Sequence, residues 1–249
     1  MNRFSLRENA LSCDLAPMDN QVHKTDDPLP LGHVSYIFCG KKGSGKSTLI
    51  LNLLKRKTSP YYRHFDNIYM ISPTAKRDPK FEKLIEELSR DGKFYDTLDE
   101  TTINDIIQKI TKFNEDFLEE HPKKKPFNLL ILDDCIHMMP TSTAQSTLQQ
   151  LFSNQRHSKL SLFLATQKLN KLPTLCRANA DLISFFPNDN KKEFECLENE
   201  WSIDPKLLKA VYEFAIDAPN SFLHISFFGR KPTFFRKFDR IVFSEDDKK

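Results

Sequence analysis

A chain of 249 residues, 39% of them hydrophobic and 29% charged, can bury roughly 70–75% of the surface its unfolded form exposes, so one large core suffices. Its net charge of +3 is too small for a dedicated coat of nucleic acid, and no apolar run approaches the ~20 residues of a membrane span. Residues 1–20 lack an apolar signal core, and Cys13, Cys39, Cys135, Cys176 and Cys196 form no Cys-x-x-Cys pair, so a soluble chain with reduced thiols is expected and a zinc ribbon or disulfide scaffold is not.

In chain order, residues 1–30 are polar and proline-punctuated and read as an arm or strap. Residues 31–243 read as one domain, and 244–249 as a frayed tail. The apolar run 34–39 predicts a buried strand, 47–55 a helix and 67–71 a second strand ended by Ser72, Pro73 and Thr74. Residues 79–89 carry Phe81, Leu84, Ile85 and Leu88 at helical spacing with proline in the first turn. A longer helix, 101–120, places Ile103, Ile106, Ile107, Ile110, Phe113 and Phe117 on one stripe. Next come a core strand at 127–132, a helix at 142–153, strands at 160–165 and 182–186, and a short helix beyond Asp204. Segments 222–228 and 233–238 read as an edge hairpin turned at 229–232. Strands alternating with helices of these lengths imply right-handed crossovers and a largely parallel α/β sheet flanked by helices.

Between the first strand and helix lie Gly40, Lys41, Lys42, Gly43, Ser44, Gly45, Lys46, Ser47 and Thr48, a G-x-x-x-x-G-K-[ST] phosphate loop without mismatch and in its required setting. The glycines allow a tight turn that aims backbone N–H groups inward, and the new helix adds its unpaired ones. Lys46 is expected to reach the β- and γ-phosphates of ATP, and Ser47 to place its hydroxyl on Mg²⁺. Thr48 is expected to position the loop or lie near the α-phosphate.

The strand 127–132 runs into Asp133 and Asp134, the Walker B arrangement. Asp133 is expected to hold Mg²⁺ at the carboxyl edge of the sheet, and Asp134 to orient the attacking water. The competing reading is that the pair caps a turn. Gln167, just beyond the strand 160–165, can report on the γ-phosphate or make an ordinary strand-end hydrogen bond. Arg156 at the end of the preceding helix can act on a neighbouring subunit's nucleotide, serve another interface role, or suit the helix dipole. His157 has no acid–base partner in the sequence.

The segment Asn170, Lys171, Leu172, Pro173 lacks the aspartate that reads guanine, and no arginine-rich lid accompanies Arg177, so hydrolysis of ATP is favoured over GTPase or kinase chemistry. Basic clusters at 55–57, 123–125, Lys168 with Lys171 and Arg177, and 230–237 admit a phosphate-backbone contact. For the last cluster the alternative is an edge strand with Phe234 or Phe235 in the core and lysines guarding the rim.

Together, the loop 40–48, the strand ending at Asp133 and Asp134, Arg156 with His157 ahead of a hydrophobic strand, and Gln167 at its end resemble the genome-packaging ATPases of poxviruses, giant viruses, virophages and Polinton-like elements, within the FtsK–HerA superfamily. The likeness runs from about residue 31 to 240, only those four motifs being specific, and the Pro73–Thr74 turn also fits. It implies a RecA-like P-loop NTPase fold, a ring expected to be hexameric, and ATP-driven translocation of double-stranded DNA into a preformed capsid. Partners would be DNA and capsid or vertex proteins, with no membrane, in the infected cell's cytoplasm or viral factory. The resemblance assigns the sensor role to Gln167 and the trans arginine to Arg156. It departs at Asp134, where the wider superfamily commonly has glutamate. A nucleotide-controlled assembly scaffold and a HerA-like repair pump stand as alternatives.

Overall fold

The computed structural model describes residues 27–135, 142–188, 190–229 and 231–242, without the side chains of 142–144. The arm reading for 1–30 falls almost wholly outside these residues, and the tail reading wholly so.

Nine strands form one sheet among the described residues: β1 (Ser35–Cys39), β2 (Asn67–Ile71), β3 (Phe94–Tyr95), β4 (Asn128–Asp133), β5 (Leu160–Thr166), β6 (Leu182–Phe185), β7 (Leu223–Ser226), β8 (Thr233–Arg236) and β9 (Asp239–Arg240). Their order is β3-β2-β4-β5-β1-β6-β7-β8-β9. From β3 to β6 every pairing is parallel, and β7, β8 and β9 add antiparallel at one side. This is the largely parallel sheet of a RecA-like P-loop NTPase. The hairpin expected at 222–238 forms, with β9 as one further strand outside it.

Seven helices among the described residues flank the sheet: α1 (Lys46–Lys55), α2 (Glu82–Arg90), α3 (Glu100–Glu120), α4 (Ser142–Asn154), α5 (Thr174–Ala178), α6 (Lys191–Trp201) and α7 (Pro205–Ile216). Side-chain parity along the strands assigns them to two faces. Tyr36, Phe38, Met70, Leu129, Ile131, Phe163 and Ala165 share one apolar cluster with Ile50 and Leu53 of α1 and Leu84 and Leu88 of α2. Their strand neighbours Ile37, Cys39, Tyr69, Ile71, Leu130, Leu132, Leu162 and Leu164 pack on the other face against α3 to α7. Because successive side chains of a strand point to opposite faces, strands buried on both sides read as continuous apolar runs. The same parity puts Asp133, two residues after Ile131, on the face of α1.

Several elements differ from the sequence expectation. The 79–89 segment opens as a 3-10 turn at Pro79–Phe81, Asp78 accepting from Lys80 N, before α2 proper. Of the α3 stripe, Ile103, Ile106 and Ile110 are buried, whereas Phe113 and Phe117 are half-exposed. A helix of 21 residues is about 31 Å long, longer than a six-residue strand, so its last turns run past the sheet. The elements β3, α5, α6 and β9 are additions: they are short or, in α6, rich in charge. The chain entering the domain is tied to the sheet by buried His224 Nε2, which donates to Pro28 O at 2.8 Å, and to the turn after α1 by Tyr61 Oη, which donates to Pro30 O at 3.1 Å.

Candidate active site

Six parallel strands end at one edge, and the site is built from the segments that leave four of them, β1, β2, β4 and β5. After β1 the chain turns through the loop 40–48 into α1. Gly40 is required by a close approach, since a Cβ there would lie 2.6 Å from Phe186 Cβ. Gly45, at φ +105°, is the N-cap of α1 in a conformation that disfavours side chains. It offers no capping side chain, and no acidic residue sits in the first turn, so the first N–H groups of the helix are available to an anion. Lys46 is buried, its Nζ donating to Gly40 O at 2.9 Å and Lys41 O at 3.1 Å.

Asp133 ends β4 opposite Ala165 of β5, and parity turns its carboxylate toward α1. Ser47 Oγ donates to its Oδ1 at 3.3 Å and Ser72 Oγ to its Oδ2 at 3.2 Å. Burial, then the neighbouring charge of Asp134, push the Asp133 carboxyl above the usual carboxylate range, against the smaller opposing pull of the two hydroxyls and Lys46. Two close protein oxygens, a carboxylate and a hydroxyl, are the donor set a hard divalent cation such as Mg²⁺ takes up beside phosphate.

Asp134 turns out of the strand at φ +49°, its N–H donating to Ala165 O at 3.2 Å. Its Oδ2 accepts from Gln167 Nε2 at 3.2 Å. Gln167 is reached because β5 runs beside β4 in register, and the 166–168 turn is held by Lys168 N donating to Thr166 Oγ1 at 3.2 Å. The loop, Asp133, Asp134 and Gln167 line one cleft of about 1090 Å³, whose opposite wall is Thr74 to Phe81.

Arg156 is not brought to this cleft. It precedes β5, at the amino edge of the sheet, and donates to Asp181 Oδ1 at 3.0 Å. Two contributors carry no site signal in the sequence. Ser72 reads there only as a strand end, and Phe186, beneath Gly40, only as the last residue of a strand. Of the basic clusters, Lys168 and Lys171 line the cleft, Arg177 pairs with Glu200 at 2.8 Å, and 123–125 lie exposed at the amino edge. Phe234 and Phe235 are in the core, as the alternative expects, but their strand β8 is not the edge, since β9 pairs outside it; Arg236 lies 3.9 Å from the Phe214 ring centroid.

The fold and the loop together define a P-loop NTPase. Residues 30–218 match the family of the poxvirus A32 protein, and the chain belongs to that family. Protein 075L of Invertebrate iridescent virus 6 is 29% identical over 185 residues, 73% of this chain and 66% of that protein. Protein 015R of Frog virus 3 is 28% identical over 191 residues, 76% of this chain and 53% of that protein. The chain thus spans between about half and two thirds of these relatives. Among solved structures, the DNA-packaging ATPase B204 from Sulfolobus Turreted Icosahedral Virus superposes with a TM-score of 0.55 at 18% identity, over 87% of this chain and 98% of that one. The genome packaging NTPase B204 from Sulfolobus turreted icosahedral virus 2, in complex with AMPPCP, gives 0.53 at 17% identity over 83% and 98%. At such identity the likeness is one of fold. No helix among the described residues is long and apolar enough to cross a membrane.

Proposed function

We propose that the chain is a Mg²⁺-dependent ATPase that drives double-stranded DNA into a viral capsid, working as a ring. The observation that carries the hydrolytic part is the convergence of Lys46, Ser47, Asp133, Asp134 and Gln167 on one cleft. Family membership and the fold shared with a DNA-packaging ATPase support the DNA part.

In this reading Lys46 exchanges its two loop carbonyls for β- and γ-phosphate oxygens, while the N–H groups of Gly43 to Thr48 take the rest of the chain of phosphates. Ser47 and Asp133 would hold Mg²⁺, which would neutralise phosphate charge. A carboxylate whose burial disfavours its own charge gains most from such a partner. Asp134 orients the attacking water. The amide of Gln167 fixes that carboxylate before reaction, and a γ-phosphate competing for the same amide would release it, so loss of phosphate is felt by the 167–171 turn. Arg156, outside its own chain's cleft, would act only on a neighbour's nucleotide or at a subunit contact.

The test is the ATPase rate with and without long duplex DNA, with Lys46→Ala as the inactive control, together with displacement of a third strand from a DNA triplex. Turnover raised by DNA and ATP-dependent displacement are expected. Turnover indifferent to DNA with no displacement would replace the motor with a nucleotide-controlled scaffold.

A further inference from the structure

The nucleotide reading uses the loop and the carboxylates, but gives no task to the opposite wall of the cleft. That wall is firmly built. Ala75 and Phe81 are each buried to 1% exposure, Arg77 N donates to Thr74 O at 3.0 Å, and Phe81 N to Asp78 O at 3.0 Å. At its root Ser72 Oγ accepts from Ala75 N at 3.1 Å while donating to Asp133 Oδ2. One buried hydroxyl therefore sets the wall's position relative to the carboxylate that marks the metal.

Two adjacent cations on this wall border a common outer hollow with Glu82 and Glu86, but only one of them also reaches the cleft. Lys76 turns away from the cleft, paired with Asp96 at 2.9 Å and 5.4 Å from the Phe94 ring centroid. Arg77 lines the cleft, exposed, and its guanidinium makes no hydrogen bond or ion pair among the described residues. β2, from whose end the wall springs, lies beyond β4 from β1, on the Asp133 side of the phosphate loop. Ser47 and Asp133, which would hold the metal that accompanies the terminal phosphates, lie on this side of the loop, Asp133 being joined to the root of the wall through Ser72.

We propose that Arg77 is a discriminating residue for the terminal phosphate, donating to the γ-phosphate of a nucleoside triphosphate held by Lys46 of the same chain and finding no acceptor in a diphosphate. The inference rests on the nucleotide reading of the cleft. Its chemistry is that of a planar fork of donors matched to phosphate oxygens, which a lysine reproduces as charge without the paired geometry. The side chain is already exposed in the cleft, so binding breaks no existing contact.

The experiment titrates the full chain with Mg·ADP and with a Mg-bound non-hydrolysable triphosphate analogue, for the wild type, Arg77→Ala, Arg77→Lys and Lys76→Ala. Arg77→Ala should weaken the triphosphate by about 10-fold or more and ADP by less than about 2-fold, with Arg77→Lys in between and Lys76→Ala keeping the wild-type ratio. An unchanged ratio in Arg77→Ala, an equal loss for both nucleotides, or the same change in Lys76→Ala would overturn the assignment while leaving the nucleotide site intact. A wild-type chain that binds neither nucleotide would refute the site itself, and the role of Arg77 with it.

Discussion

Asp133 and Asp181 sit at opposite edges of the same sheet and are held very differently. At the amino edge, Asp181 Oδ2 accepts from Ser35 N at 2.8 Å and Gln155 Nε2 at 3.2 Å, and its Oδ1 from Arg156 at 3.0 Å. At the carboxyl edge, Asp133 accepts, among the described residues, two long hydroxyl bonds and faces the charge of Asp134. A carboxylate given backbone, amide and guanidinium donors stabilises the fold. One that is buried with few donors beside a second acid is poised for something from outside.

The largest effect should come at the carboxyl edge. Replacing Asp133 or Asp134 by Asn should lower ATP turnover by about 100-fold or more, with binding of ATP largely kept in Asp134→Asn. Asp133→Asn also removes a buried charge that Asp134 repels, so its unfolding midpoint in the absence of metal should be equal to the wild type or higher. Turnover within a factor of about two of wild type in Asp134→Asn would remove it from the chemistry. A midpoint well below wild type in Asp133→Asn would erase the contrast between the two edges.

Asp181→Asn should do the reverse. The donors from Ser35, Gln155 and Arg156 lose their shared charged acceptor, at a cost of about 2–3 kcal/mol in unfolding free energy measured by urea. Turnover per folded molecule at saturating ATP should stay near the wild-type value. A selective loss of turnover without loss of stability would make the amino edge part of the catalytic apparatus.

The carboxyl edge was largely legible in sequence because its determinants are local. A phosphate loop is nine consecutive residues, and an apolar strand ending in two acids announces both its burial and its polar end. Gln167 followed from the same logic. Ser72 and Phe186 were not legible as site residues, because their roles come from neighbours 61 and 146 positions away, Asp133 and Gly40. Sequence order also brought Arg156 close to Gln167, yet the seven residues of β5 between them extend over about 20 Å of strand. The helix α6 was missed because its charged face dilutes the apolar spacing, and β3 because two residues carry no periodicity.

Arg156 supplies the smallest expected effect and the finest division of the comparison. Its side chain is 51% exposed while that of Asp181 is 12% exposed, so solvent screens much of the pair's attraction. Arg156→Ala should therefore destabilise the chain by less than about 1 kcal/mol, well short of Asp181→Asn. That small cost leaves the residue free for a role between subunits, which stability cannot reveal. Mixing Arg156→Ala with Lys46→Ala protein can: if the arginine completes a neighbour's site, mixed rings regain turnover that neither variant has alone, because some interfaces pair an intact loop with an intact arginine. No recovery in rings verified to be mixed, with Arg156→Ala active by itself, would return Arg156 to the structural edge with Asp181.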